Sequence, residues 1–470
     1  MTINYLDSKL FIFVFQILAV LGIAFGPFSV GLCKGYTSPA LASLQSPQPN
    51  TSQTFVISEQ EGSWIASLSL LGALFGGLLS SQVLKGGRRA CLLVVALPFS
   101  ASWCLTVFAT SVQMIYSTAF LAGICSAIVN IISQVYISEI AKPELRGRLS
   151  ACLKIFAHLG MLASFLMGAW LDWRQLALVC ASAPLMLIVT MQYTPETPSY
   201  LVYSGQIARA ERSLQWLKGE MADVSTELGI LQLNIRRMKE QGSGCKSVLV
   251  PQLVKPVLLT SVLMFFNRFS GAMAFNFYAV TIFSQVFGDL NPHLVAVITA
   301  TVQLIASMFS GILADKMGRK PLLISSGLIM TLSLTGFGLY TYLCEMEPSG
   351  RLDWLPLLLI LLFECACNVG IQPISWLLVG ELFPLEYRAA GSSLTTSISY
   401  AFAFMGVKTF VDLNSVLGLY GTFWSYAGIC FLGCIFSGIF IPETRQKPLH
   451  EMEIRTERLS DSEAWRSDLI

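Results

Sequence analysis

Four ionisable residues stand inside long apolar stretches of this chain: Lys154, His158, Arg268 and Glu364. A charge in hydrocarbon is costly, so such residues face a partner or a water-filled cavity. Arg268 and Glu364 fit a structural pair. The cations fit a positively lined cavity, suited to a solute bearing a carboxylate or phosphate, or tolerated around a neutral one. Enzyme chemistry finds no footing. There is no nucleophile–base pattern, no metal-ligand cluster and no cofactor motif, and only three histidines. Most of the twelve cysteines stand singly in apolar runs, and even the close pair Cys365 and Cys367 does so. They read as small hydrophobes rather than a disulfide scaffold.

A second set of charged residues recurs in pairs along the chain. Gly87-Arg88-Arg89 is echoed by Asp315-Lys316-Met317-Gly318-Arg319-Lys320. Glu139 precedes Arg146 by seven residues, and Glu381 precedes Arg388 by seven. Pro195-Glu196-Thr197-Pro198 is echoed by Pro442-Glu443-Thr444-Arg445. Three paired motifs at matching places indicate a duplicated chain. The basic clusters set topology, and Asp315, Arg319, Glu381 and Arg388, with Glu139 and Arg146 in the first copy, are expected to form ion pairs that gate one face.

The elements that carry these residues are membrane spans. The chain is 54% hydrophobic and 12% charged, about half the charge of an ordinary soluble domain. A span needs about 20 mostly apolar residues. Twelve segments qualify, at 10–32, 64–84, 90–109, 114–137, 149–171, 175–193, 257–287, 294–314, 321–343, 354–379, 390–412 and 419–441. The first lacks a cleavage site and reads as a signal anchor. Lys and Arg concentrate in the loops after even-numbered spans, so both termini are expected in the cytoplasm. The expected organisation is an N-terminal six-helix bundle (1–193), a cytoplasmic linker with amphipathic helices (194–256), a C-terminal six-helix bundle (257–441) and a cytoplasmic tail (442–470). Asn50-Thr51-Ser52 forms a glycosylation sequon in the long outer loop.

Over nearly its whole length the sequence resembles the sugar-porter branch of the major facilitator superfamily. The marks are the motifs above together with Pro195–Leu201. Gly35–Leu41, Val407-Lys408-Thr409-Phe410 and Tyr420–Trp424 give it a closer resemblance to the insect facilitated trehalose transporters. The resemblance implies an all-α major facilitator fold, a central sugar site and alternating access. It implies that Trp376, in Gln372-Pro373-Ile374-Ser375-Trp376, faces the sugar, and that Gln303 supplies an amide. The family's span-7 pattern Gln-Gln-x-x-Gly-x-Asn has become Asn267-Arg268-Phe269-Ser270-Gly271-Ala272-Met273, and its span-5 Gln has become Lys154. Ser375 replaces a second proline, which implies a milder helix break. Leu84 stands where the first basic loop usually carries an acid.

The expected function is therefore facilitative transport of a sugar, trehalose or a hexose, at the plasma membrane. The expected partners are the small-molecule sugar and membrane lipid, without nucleic acid, and the chain is expected to act as a monomer. No acid lies between Phe11 and Tyr36, where proton-coupled relatives usually carry an Asp. The alternatives are an organic anion or polyol carrier, a proton-coupled symporter through Glu364, and a non-transporting sensor. The short polar segment 442–470 offers a sensor no signalling module.

Overall fold

The computed structural model describes residues 2–45, 56–141, 143–218, 224–240, 251–346, 354–383 and 388–443. Asn50 and most of the 442–470 segment lie outside the described residues, as do the side chains of Arg146 and Arg388. Among the described residues there is no strand. Lipid offers no hydrogen-bond partner, so a spanning backbone must satisfy itself within the segment, and the helix does so.

Six long helices open the chain: α1 (Thr2–Gln45), α2 (Glu59–Val83), α3 (Arg88–Val107), α4 (Val112–Ile140), α5 (Pro143–Met167) and α6 (Trp173–Gln192). Three shorter ones follow: α7 (Pro198–Tyr203), α8 (Ile207–Lys218) and α9 (Ser225–Glu240). The second apolar series is α10 (Pro251–Arg268), α11 (Ala272–Val286), α12 (Pro292–Met317), α13 (Arg319–Met346), α14 (Trp354–Val369), α15 (Ile371–Glu381) and α16 (Arg388–Phe440). Helices α10 and α11 form one broken span, as do α14 and α15. Helix α16 turns at Gly418 (φ 69, ψ 176), which divides it into the last two spans. The membrane-length runs number eleven among the described residues, and dividing the last at Gly418 makes twelve.

Local chemistry fixes several helix starts. Ser58 Oγ accepts from the Glu61 amide while Glu61 returns a carboxylate to the Ser58 amide, a reciprocal cap at α2. Asp172 and Gln175 do the same at α6. In lipid, helices associate through close packing rather than water release. A Cβ at Gly72 would strike the carbonyl of Phe120, and one at Gly123 that of Ser69, so α2 and α4 meet backbone to backbone.

Three sequence boundaries shift. The first span continues past residue 32, through Pro39, to Gln45. Tyr36, Thr37 and Ser38 are buried against protein, not lipid, so their polarity does not end the span. Span 7 breaks at Ser270-Gly271 (Gly271 φ 92) and kinks again at Tyr278 (φ −125, ψ 19). In span 10 the break falls at Gly370, and α15 runs unbroken through Pro373 and Ser375. The linker helices form where the amphipathic pattern expects them. Leu201, Val202 and Ala210 make their small core, joined by Leu228, Leu231 and Ile235.

Contacts group the chain into two compact units. The first contains Met1–Gly244, Met273–Leu304 and Ala403–Val416; the second contains Cys245–Ala272, Ile305–Phe402 and Leu417–Ile470. Gly418 stands at the edge of the second, in backbone geometry that non-glycine residues adopt only at a cost of about 1–3 kcal/mol. Gly418→Ala is therefore expected to lower the thermal unfolding midpoint in detergent; an unaltered midpoint would show that the turn tolerates a side chain.

Candidate functional site

The paired charged motifs become two copies of one structure. Gly87 (φ 100) and Gly318 (φ 92) turn the chain into α3 and α13 with backbone geometry that favours glycine. At α3 the Glu196 carboxylate accepts from the amides of Arg88 (2.9 Å) and Arg89 (3.0 Å). At α13 the Glu443 carboxylate accepts from the amides of Arg319 and Lys320, both at 3.0 Å. A carboxylate at a helix N-terminus satisfies otherwise open donors and meets the positive end of the dipole. A Cβ at Gly87 would come within 2.7 Å of the Glu196 carboxylate, and one at Gly318 within 2.8 Å of that of Glu443.

The arginines complete each copy. Arg88 donates to Glu139 Oε1 from Nε (3.0 Å) and Nη2 (2.6 Å), and its guanidinium lies over the Tyr200 ring. Arg319 donates to Glu381 at 3.0 Å and stands 3.6 Å from Asp315. Thus Glu139 and Glu381 are engaged by the arginines that open α3 and α13. The sequence reading groups Arg319 with Asp315, Glu381 and Arg388, but sets Glu139 with Arg146 rather than with Arg88. Asp315 is 79% exposed, whereas Arg319 and Glu381 are 12% and 23% exposed. Exposed pairs contribute about 0–1 kcal/mol, so Glu381 is the principal partner. Every one of these ties joins helices from the same sequence half.

Among the expected binding residues, Asn267, Arg268 and Trp376 come together in the second unit. Asn267 Nδ2 donates to the Ile371 carbonyl (3.1 Å) and to Ser375 Oγ (3.2 Å), tying α10 to α15 beside the Gly370 break. Ser375, where relatives carry proline, therefore holds the amide in place. Both N–H groups of Asn267 are committed in these bonds. Arg268, 8% exposed, donates to Ser399 Oγ at 2.9 Å and sets its guanidinium 5.6 Å from the centroid of Trp376. The indole is partly exposed and packs on Leu253, Met264, Val379 and Phe383. This cation–π contact and the hydroxyl help offset the burial of the charge. Glu364, 1% exposed, accepts from Asn368 Nδ2 at 3.2 Å.

The other two lie in the first unit. Gln303 donates to Asn276 Oδ1 at 3.1 Å. Asn276 was missed; it stands one turn beyond Met273, where the family pattern loses its amide, and that spacing was the available signal. Lys154 is exposed on α5, one turn before His158, and Lys34 of α1 is also within electrostatic reach of that histidine. Lys34 is the one exposed position between Cys33 and Leu41.

The family model described as Sugar (and other) transporter matches residues 14–455. The facilitated trehalose transporter Tret1 of Apis mellifera ligustica is 34% identical over 444 residues, covering 94% of this chain and 88% of that protein. The protein of the same name from Drosophila yakuba is 35% identical over 93% of this chain, which spans 51% of it. Among solved structures, the partially occluded inward open xylose transporter XylE from E. coli aligns with a TM-score of 0.77 at 20% identity, covering 93% of this chain and 100% of that one. Its inward open form gives 0.75, also at 20% identity, covering 94% and 99%. At that identity the likeness establishes the fold, that of the major facilitator superfamily.

If the carboxylates of Glu196 and Glu443 hold the starts of α3 and α13, Glu196→Ala and Glu443→Ala each cost about 1 kcal/mol, the usual worth of an N-terminal cap. Both are expected to lower the unfolding midpoint in detergent, and Asp315→Asn to leave it in place. A larger loss for Asp315→Asn than for Glu443→Ala would reverse the assignment.

Proposed function

Because the chain belongs to the sugar (and other) transporter family, we propose that it moves a neutral sugar passively across the plasma membrane by alternating access, with trehalose the first candidate. The observation that carries the site is the cluster of Asn267, Arg268 and Trp376 around the breaks at Gly271 and Gly370. Transporters of this kind place substrates where spans are interrupted. The guanidinium and the indole N–H donate to hydroxyls, the Asn267 oxygen accepts, and the indole face covers the sugar's C–H side. Gln303 on α12 and Lys154 on α5 are proposed substrate-binding residues of the first unit.

Trehalose is favoured by the relatives that bear its name, at 34% identity over 94% of the chain. A passive mechanism is favoured by the absence of an acid from Phe11 to Tyr36. The basic loops argue for a cytoplasmic location of the α3 and α13 starts and of both termini. There, Arg88 with Glu139 and Glu196, and Arg319 with Glu381 and Glu443, keep each half a rigid body. Asn50 carries glycan on the opposite side. One chain holds both halves, so a monomer suffices.

The test is uptake of labelled trehalose and glucose into proteoliposomes with and without a proton gradient. Gradient-independent uptake is expected, and uptake of an organic anion but of neither sugar overturns the reading. Trp376→Ala is expected to raise the apparent KM about tenfold, equivalent to about 1.4 kcal/mol, with unchanged membrane insertion. Arg268→Gln, which restores the family's amide, is expected to retain transport. An unaltered KM in Trp376→Ala would remove the indole from the site.

A further inference from the structure

The motif Val407-Lys408-Thr409-Phe410 has no part in the site described above, yet Lys408 makes several polar contacts at the end of the first unit marked by Ser58. Its Nζ donates to Ser63 Oγ at 2.7 Å and to Gln60 Oε1 at 3.0 Å, and stands 4.9 Å from the centroid of Trp64. The Ser63 hydroxyl gives its own proton to the Gln60 carbonyl at 2.8 Å, so its oxygen is free to accept from the ammonium. Gln60 then passes the contact on, its Nε2 donating to Asp412 Oδ1 at 2.8 Å. One amide thus bridges a cation and a carboxylate, each polarising it in the same sense. Trp64 also lies against Phe404, with centroids 6.4 Å apart. Phe404, Lys408 and Asp412 are spaced by four, one face of α16; Gln60, Ser63 and Trp64 are the facing turns of α2.

Beside this row is a small cleft, of about 30 Å³, where α1, α2, α11 and α16 converge. Its polar lining is Gln45, Glu59, Thr281, Gln285 and Asn414. Deeper in, the joint is of another kind. The kink at Tyr278 interrupts the α11 backbone, and the Val280 amide donates instead to Ser38 Oγ of α1 at 2.9 Å. The Tyr278 hydroxyl reaches the Val407 carbonyl at 3.1 Å while its ring stacks on Phe410. The buried joint is therefore made of neutral hydrogen bonds and ring packing, and the charged tie sits at the rim, where separated groups meet water.

We propose that Lys408, with Gln60, Ser63 and Trp64 as receptors and Asp412 as second tie, is the latch that closes the Ser58 end of the transport path, and that the adjoining cleft widens into the entrance when it releases. This rests on the transport reading above. Under that reading the latch also sets the apparent affinity for sugar arriving from this side, because only the unlatched fraction binds it. Cutting the latch raises that fraction and lowers the apparent KM for entry. Residues in the sugar site act differently, since their loss raises KM.

The test places Asn414→Cys in the cleft of the purified full-length chain in detergent and follows its modification by a bulky maleimide, residue by residue, by mass spectrometry. Buried Cys180 serves in the same sample as the reporter of intact packing. Adding Lys408→Met is expected to speed modification at 414 about tenfold and to leave Cys180 unreactive. Should both sites become reactive, the variant has lost its packing; Gln60→Met, which removes the ties to Lys408 and Asp412 from the α2 side and keeps Ser63, then decides in its place. A rate at 414 unchanged to within about twofold overturns the latch. Sugar transport with an unchanged labelling rate would leave the function standing and the latch refuted. Faster labelling in a chain that moves no sugar would do the reverse.

Discussion

A backbone that crosses lipid has no outside partner for its amides, and the starts of its helices are where this constraint is hardest to meet. Here two glutamates carry it. Glu196 and Glu443 each reach the open amides of a helix that begins more than a hundred residues earlier. Because each carboxylate comes from the end of a later span, capping a helix also ties distant parts of the chain together. The arginine at the capped start then reaches a third helix through Glu139 or Glu381. One requirement of solvation thus produces a three-way tie, and duplication provides it twice. Loss of the acid at Leu84 is tolerable for the same reason. In the copy that keeps an acid, Asp315 is mostly exposed and its partner already holds a closer carboxylate.

The same constraint explains which features were legible in the sequence. The duplicated motifs, the apolar runs and the linker helices follow from local composition and spacing, and the fold follows from them. The job of the glutamate in Pro-Glu-Thr did not, because nothing local says that Glu196 and Arg88 meet. Likewise Glu139 appears paired with an arginine a few residues on, and only the folded chain brings Arg88 to it. The end of the first span was misjudged because hydropathy treats Tyr36, Thr37 and Ser38 as facing lipid, whereas protein covers them. The substituted amides of span 7 looked like losses. Two are repaired in space, Asn267 through Ser375 and the missing amide through Asn276. Arg268 was legible as an intramembrane charge, but its position over Trp376 is a fact of the folded chain.

Two sets of ties follow different rules. At the basic loops, the caps and arginine pairs join helices of one sequence half, and in the proposed cycle they make each half move as a body. At the Ser58 end, Lys408, Asp412 and Val280 meet residues of the other half. Ties within a body persist through a rocking motion, while ties across the seam must break once per cycle. Contacts of the first kind are free to be partly buried and multidentate, as those of Arg88 are. Contacts of the second kind have to be recovered cheaply, which favours exposed groups that exchange a protein partner for water at little net cost. Gln60 and Asp412 are exposed and Lys408 is half-buried. By that criterion the row on α2 and α16 has the composition of something that opens.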